Sequence, residues 1–554
     1  MRILLVGFGG LLMGLSTAPF SNFYFAWIAL VPLWVFLVSE TTKHITHKKF
    51  KNKKNKLKLR RKINEKTLIA IVWGFSYHGF SLFWVTSLHP MTWIGISWIS
   101  SFIITTFCWL FVTCWGIVLV LIWSFLMCCF TVNQTKEINY KKITSKCIES
   151  NTFLASSLFQ SLKRIIFGIA IWCILEMIWS QSPLWWTSLS YTQSPSNLAI
   201  LQLTKLSGYS TVTALIVAIN GLISESILII NKNRKQFFLL NFLSIITILF
   251  SHLYGLFLYN HRALDSNDKK IKIGMIQGNI PNTIKLSPEG KVRALKNYSY
   301  GYEVLAKQKV DLIITPEVAL PFNIQYVLDN SALSQKIMKY KVPIILGALG
   351  DQKNGYTNSL FTITDTGKIL SRFDKVKLVP LGEYIPLENI FGKLINYLSP
   401  LENHLITGKN KQVFDTSVSQ AIVGICYESA FSEHFRYQAS LGGEYIVTAS
   451  NNAHFTRIMP SQHHSQDVIR AIETDRWMAK VTNTGYSAII NPNGDTLWIS
   501  KMNMYEIHKG IIYARNTQTL YVRMGNWLII ILSCMATMPL LKIFLLLIEY
   551  TIDF

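Results

Sequence analysis

The sequence predicts a polytopic α-helical membrane bundle of about eight transmembrane helices that carries one large α/β domain. Three observations predict it. Half of the 554 residues are hydrophobic, 16 of them Trp, and the mean hydropathy is +0.30, which is too apolar for an ordinary soluble chain. Apolar runs of membrane-spanning length recur through the first half and once more near the end. Between them, 260–525 turns into short apolar runs alternating with helical stretches.

A bilayer core about 30 Å thick takes roughly 20 apolar residues per helix. Such runs lie near 3–19, 21–39, 67–87, 92–130, 164–180, 206–230, 236–259 and 526–547. The long run at 92–130 is read as one helix. The first run also looks like a signal peptide, but Pro19 directly after Ser16-Thr17-Ala18 disfavours cleavage. The domains expected are therefore a seven-helix region at 1–259, a polar domain at 260–525 and a last helix at 526–554.

The formal net charge of +24 raises nucleic-acid binding, so its location matters. The segment from Lys43 to Lys66 holds a dozen Lys and Arg against one acid, Glu65. It lies between two apolar runs and lacks an aromatic or Gly-rich RNA module, so it reads as a cytoplasmic topology signal, not a nucleic-acid site. Lys136, Lys141, Lys142, Lys146 and Lys163 fall in the loop at 131–163, and Lys232, Arg234 and Lys235 fall at 231–235. The intervening loops carry only Lys205. Every basic loop thus falls on one side, which puts both termini in the cytoplasm and 260–525 outside.

The polar domain offers strand candidates at Ile271–Gln277, Leu312–Thr315, Pro343–Leu346, Ser359–Thr364, Ala421–Cys426, Tyr445–Ala449, Ser487–Asn491 and Lys509–Ala514. Helix candidates lie near 290–308, 331–340, 431–441 and 461–475. Several of the strands are continuous apolar runs, as buried strands tend to be. Of the eight cysteines, six lie in or near apolar runs, Cys147 lies in a polar loop, and only Cys426 falls inside this domain. A lone thiol there forms no intradomain disulfide and fits no zinc spacing, so its retention outside the cytoplasm needs a reason.

Three places put ionisable residues directly after a strand, where α/β folds build their sites. Glu317 follows Leu312-Ile313-Ile314-Thr315-Pro316, a strand that Pro316 ends. Lys375 opens the turn-rich stretch from Asp374 to Pro386. Cys426 ends Ile422-Val423-Gly424-Ile425, with Glu428 two residues on. A Cys nucleophile needs a base and an oxyanion partner. A carboxylate raised towards neutrality by partial burial meets the first need, and a lysine that lowers the thiol pKa meets the second. Each residue alone has a plain structural reading; their joint occurrence at three strand ends favours chemistry.

Glu, Lys and Cys in this order resemble the nitrilase, or carbon–nitrogen hydrolase, superfamily. Seven helices, such a domain and one last helix resemble its membrane-embedded branch, the apolipoprotein N-acyltransferase family. The likeness spans essentially the whole chain. It includes Gln277-Gly278-Asn279-Ile280-Pro281, Thr315-Pro316-Glu317, Leu378-Val379-Pro380-Leu381-Gly382-Glu383-Tyr384, Cys426-Tyr427-Glu428, Ala449-Ser450-Asn451-Asn452-Ala453 and Thr482-Asn483-Thr484-Gly485. The resemblance implies an αββα sandwich, with Glu317 as general base, Lys375 as transition-state stabiliser and Cys426 as nucleophile. It also implies that Glu383, Tyr427 and Glu428 lie in or near the site. The sequence departs from the family where Lys285-Leu286 and Ala453-His454-Phe455 stand in place of Trp. Leu286 and His454 therefore enter as substrate-contact candidates that lack the aromatic wall.

His454 and the pair His463-His464 lack further ligands at metal spacing and read as loop or rim histidines; no metal and no cofactor is expected. Glu176, inside a predicted span, marks either function or snorkelling to the interface. The stretch Leu387–Leu401 is amphipathic and suits either a membrane-lying arm or packing on the domain. The membrane setting makes a phospholipid ester the expected acyl donor, and the resemblance implies the α-amine of a diacylglyceryl-cysteine apolipoprotein as acceptor. The transfer would be ping-pong through a thioester on Cys426, in a monomer. Two alternatives stand beside this: a membrane-tethered amidase or nitrilase acting on a small carbon–nitrogen substrate, and a transporter or receptor with an inactive domain. The sparse charges in the apolar runs argue against the last.

Overall fold

The computed structural model describes residues 1–45, 65–144, 150–261, 263–353, 355–380, 382–384 and 405–552. The amphipathic stretch Leu387–Leu401, Cys147 and most of the basic segment after Lys43 lie outside them.

The apolar runs form helices α1 (Arg2–Leu15), α2 (Val31–Ile45), α3 (65–81), α4 (Trp98–Thr144), α5 (Ser150–Trp179), α6 (Tyr209–Ile229) and α7 (Arg234–Asn260). Five spans among the described residues are long and apolar enough to cross a membrane: Trp98–Thr135, Ser157–Trp179, Tyr209–Ile229, Arg234–Asn260 and Trp527–Leu545. The sequence suggests about eight. The difference lies in the first three runs, which the fold breaks into shorter helices. Asn22 to Trp27 turns through a 3-10 segment before α2, and α3 loosens into a π-turn at Phe75–Gly79. The run at 92–130 is one helix but begins at Trp98, after a 3-10 turn at Thr92–Ile94. Aromatic rings fill the bundle core. Trp34, Trp73, Trp123 and Trp172 are fully buried, and Trp172 stands edge-on to Trp73 and Trp123.

Glu176 does not snorkel. It is fully buried near the end of α5 and accepts hydrogen bonds from Leu189 N at 2.8 Å and Thr213 Oγ1 at 2.5 Å. Burying a carboxylate is costly unless it is hydrogen-bonded; here the bonds tie the connection after α5 to α6. On α6, Glu225 is paired with Arg164 of α5 at 2.5 Å.

Two six-stranded sheets build the polar domain. The first contains β1 (Lys270–Gln277), β2 (Leu312–Ile314), β3 (Ile344–Gln352), β4 (Gly355–Ile363), β5 (Ile369–Asp374) and β12 (Glu506–Tyr513), in the order β12-β1-β2-β3-β4-β5. The second contains β6 (Phe414–Asp415), β7 (Gln420–Ile425), β8 (Tyr445–Ser450), β9 (Met478–Thr482), β10 (Ala488–Ile490) and β11 (Thr496–Ile499), in the order β11-β10-β9-β8-β7-β6. β1, β2 and β3 run parallel, as do β7, β8 and β9. Inward side chains such as Ile273, Ile314, Val423 and Val447 pack between the sheets. α8 (Pro288–Lys307), α9 (Ile324–Asn330) and α10 (Ala332–Tyr340) cover the first sheet. α11 (Ser432–Ser440) and α12 (Ile458–Thr474) cover the second, completing an αββα stack. The chain then returns to the bundle as α13 (Trp527–Ile552).

Bundle and domain are joined by polar bonds. Trp84 and Trp186 both donate to Gln462 Oε1, at 3.0 and 2.9 Å, and Gln462 donates to Ser81 O. Tyr259 of α7 donates to Asp495 at 2.7 Å. His463 and His464 are not rim residues: both are buried on α12, and His464 Nε2 lies 3.0 Å from Thr496 Oγ1.

Candidate active site

β2 and β5 of one sheet, and β7 and β8 of the other, end in turns that converge on one cluster. Glu317 and Lys375 are buried, 6 % and 1 % exposed. Lys375 Nζ donates to Glu317 Oε1 and Glu383 Oε1, both at 2.9 Å. Glu317 Oε1 also accepts from Asn358 Nδ2 at 2.7 Å, and Oε2 from the Asn451 backbone N–H at 3.0 Å. Glu383 is held in turn by Val379 N at 2.8 Å. Cys426 Sγ stands 4.0 Å from Asn452 Oδ1.

The turns themselves are strained. Val318 (φ 43°), Cys426 (φ 52°) and Asn452 (φ 53°) all occupy the left-handed region, at roughly 1–2 kcal/mol per L-residue. For a β-branched residue such as Val318 this is an outlier, and such strain collects at functional sites. Gly347 makes the first turn possible, because a Cβ there would stand 2.0 Å from Pro316 O.

The electrostatics reverse two expectations. Burial pushes the Glu317 carboxyl up, but Lys375, with help from Lys285 and Asn358, outweighs it and holds the group below the usual carboxylate range. Glu317 is therefore ionised at neutral pH and not poised near it. The thiol moves the other way from the one expected. Desolvation, then the charge of Glu317, pushes Cys426 up to about 12 against the pull of Lys375. At neutral pH the cluster stores a thiol, a carboxylate and an ammonium. Burial lowers Lys375, but Glu317 and Glu383 raise it well above its ordinary value, and two of its three N–H groups have acceptors.

The remaining candidates fall in different places. Glu428 is fully buried and binds backbone N–H groups of Val376, Lys377 and Ile425. Tyr427 donates to Pro183 O of the membrane region and lies parallel to Trp186, centroids 6.3 Å apart. With Leu82, Trp84, Trp109 and Phe455 it belongs to an apolar cluster joining the bundle to the Cys426 turn. His454 stacks on Trp93 at 5.5 Å, so an aromatic wall is supplied there from the membrane region. Leu286, by contrast, is 58 % exposed.

The residue that the fold inserts beside it is Lys285, buried in the short helix Asn282–Lys285, with Nζ 3.3 Å from Glu317 O. Reading the sequence for a missing Trp passed over it. Asn358 and Asn451 were also missed, although Asn451 lies within a motif quoted for the family. Gln277 explains that family's first motif: its Oε1 accepts from Ser487 and Ser500 at 2.7 and 2.8 Å. Asn483 clamps Ile280 N and O at 2.9 and 2.7 Å. Among the described residues no three His, Cys, Asp or Glu side chains are grouped to hold a metal.

A two-sheet α/β domain with a Glu–Lys–Cys site, seated on apolar helices, defines a membrane-embedded protein of the carbon–nitrogen hydrolase class. Residues 272–515 match the family model described as carbon-nitrogen hydrolase, and 9–222 match the apolipoprotein N-acyltransferase N-terminal domain. The apolipoprotein N-acyltransferase of Nostoc sp. is 47% identical over 93% of this chain and 94% of its own length. That of Synechocystis sp. is 43% identical over 94% and 96%, and that of Thermosynechococcus vestitus 38% over 86% of each. The chain belongs to the apolipoprotein N-acyltransferase family, and it is an N-acyltransferase.

Proposed function

We propose that the protein transfers a fatty acyl chain from a phospholipid to the α-amine of a diacylglyceryl-cysteine at a lipoprotein N-terminus, through a thioester on Cys426. The observation that carries this reading is the placement of Cys426, between the buried Glu317–Lys375 pair and the apolar cluster around Tyr427 that runs into the membrane helices. Glu317 takes the thiol proton as sulfur attacks the ester carbonyl carbon. Lys375 supports the oxyanion with its remaining N–H. The carbon–oxygen bond breaks, the proton passes to the leaving oxygen, and lysophospholipid departs. The acceptor amine then attacks the thioester, the carbon–sulfur bond breaks, and an amide forms while Cys426 regains a proton. An amine attacks a thioester more readily than an oxygen ester.

The assigned organisation is a helical region at 1–259, a catalytic domain at 260–525 on the periplasmic side, and a last helix at 526–554. Both termini are cytoplasmic, in a monomer spanning the bacterial inner membrane. The basic loops support this orientation. The test of function is incubation of the purified protein with acyl-labelled phospholipid. A hydroxylamine-labile adduct is expected on the wild type and absent from Cys426→Ala. No adduct, or one unchanged in the variant, sinks acyl transfer and leaves hydrolysis of a small amide as the reading to test. Thiol labelling of Cys426 from outside spheroplasts checks the orientation.

A further inference from the structure

Residues at i, i+4 and i+7 share one face of a helix, and on α12 one such face carries His463, Asp467 and Arg470, all buried. That face meets the short segment Cys426–Ala430. Arg470 donates to Ser429 O at 3.1 Å, and Asp467 faces the Ser429 side chain. His463 Nδ1 lies 3.4 Å from Asn452 Nδ2, and Asn452 Oδ1 is the acceptor 4.0 Å from Cys426 Sγ. Burial lowers the His463 imidazole to about 4, so at neutral pH it has one donor and one acceptor nitrogen. Nε2 faces Asp467 Oδ2 at 4.0 Å. Burial raises that carboxyl, but Lys480, at 2.5 Å, and His463 outweigh it and hold it below the ordinary carboxylate range. An ionised carboxylate on the Nε2 side favours the tautomer with the proton there, which leaves Nδ1 to accept from the Asn452 amide. With Nδ2 so engaged, Asn452 turns Oδ1 to the sulfur. Trp186 stands edge-on to the imidazole, centroids 6.3 Å apart. Gly485 leaves the room that the amide fills: a Cβ there would stand 2.7 Å from Asn452 Nδ2 and 3.0 Å from its Cβ.

We propose that His463 is a positioning residue for Cys426: through the Asn452 amide it holds the thiol in one rotamer, so that the sulfur meets the donor ester in a fixed place. This rests on the acyl-transfer reading above. The thiol proton rests on Asn452 Oδ1, and rotation about the Cβ–Sγ bond turns it towards Glu317 while the sulfur stays where it is. Both Cys426 and Asn452 stand at left-handed backbone positions, φ 52° and 53°, so the two turns are set and the side-chain contact completes the aim. A sulfur already aimed at the ester carbon spares the attack an entropy cost. The gain falls on the attack and not on phospholipid binding, because His463 is buried behind the turn and touches Cys426 from the protein side.

The test compares wild type, His463→Leu, His463→Asn and Asn452→Leu in the full-length protein. An Asn side chain brings its Oδ1 close to where the imidazole Nδ1 stood and accepts from Asn452; Leu cannot. Single-turnover labelling of Cys426 over a range of phospholipid concentrations should show about a 10-fold fall in the saturating rate for both Leu variants, with the half-saturating concentration unchanged. His463→Asn should recover most of the rate. The S–H stretch of Cys426, isolated in the infrared as the difference between each protein and its Cys426→Ala counterpart, should move to higher wavenumber in both Leu variants and stay in place in His463→Asn. Asn452→Leu changes no residue of α12 and reads the same contact should His463→Leu fail to fold. An unmoved S–H band in Asn452→Leu, no recovery in His463→Asn, or a loss that falls on half-saturation alone would overturn the assignment. If wild type forms no adduct, the failure belongs to the acyl-transfer reading, and the infrared bands still decide the contact.

Discussion

Glu428 holds Val376: its Oε1 accepts the Val376 backbone N–H at 2.6 Å and that of Lys377 at 3.0 Å, while Oε2 accepts Ile425 N at 2.7 Å. One fully buried carboxylate thereby ties the turn bearing Cys426 to the turn bearing Lys375. Its partners are all donors, so a second donor in its place leaves N–H groups facing N–H groups. We expect Glu428→Gln to lose about 3 kcal/mol of stability and at least about 100-fold in Cys426 acylation. Thermal unfolding in detergent and single-turnover labelling check both; an active, stable variant would show that the tie is dispensable.

The pH dependence of acylation should follow the lowered carboxyl of Glu317. Its folded pKa lies below the ordinary value near 4.3, so the base form persists as pH falls from 7 to about 5 and is lost only on passing the lowered value. Glu317's contribution to stability has the same sign: present above its unfolded pKa and lost as pH falls through the folded one. With the thiol pushed up to about 12, no limb from thiolate formation is expected near pH 9. Rates of adduct formation against pH test this. An acid limb near pH 6 would mean a Glu317 raised towards neutrality.

Gly347→Ala should damage the site through the backbone. The added Cβ would meet Pro316 O at 2.0 Å and Val318 N at 2.9 Å, and neither atom can rotate away. Strain of about 1–3 kcal/mol is expected, together with at least about 100-fold slower acylation as Glu317 shifts. The paired measurements are unfolding temperature and adduct formation; a variant with wild-type rates would contradict the close fit of this turn.

The Trp93–His454 stack predicts that the aromatic wall is shared across the membrane boundary. Trp93→Ala should slow acyl transfer about 2- to 10-fold, as expected for a stacking contact of about 0.5–1.5 kcal/mol, with stability nearly unchanged because Trp93 is 38% exposed. His454→Trp, which keeps a ring to stack on Trp93, should retain activity. Steady-state transfer to a lipopeptide reads both. A His454→Trp variant as slow as Trp93→Ala would remove the wall from the account.

Much of this was legible because it is local. Pro316 ends a strand whatever surrounds it, and an apolar run followed by Cys426 and Glu428 marks a strand end. The strands that went unread carry polar residues that only distant partners excuse. Lys480 interrupts β9 and is buried against Asp467 of α12 at 2.5 Å, and Arg372 on β5 donates to Asp351 O of β3 at 3.1 Å and to Thr357 Oγ1 of β4 at 2.9 Å.

By itself, then, the sequence determined that this is a membrane protein with an α/β domain and a Glu, Lys and Cys at three strand ends. These features follow from hydrophobic periodicity and turn chemistry within a few residues. Only the tertiary structure decided what those groups are. It turned Glu317 into a stored carboxylate and Cys426 into a stored thiol, seated Lys285 and not Leu286 in the site, and buried Glu176 against Leu189 N and Thr213. The reason is physical: the proton affinity of a buried group depends on which charges lie within a few ångströms, and those neighbours come from segments up to 134 residues apart, as Glu317 and Asn451 are.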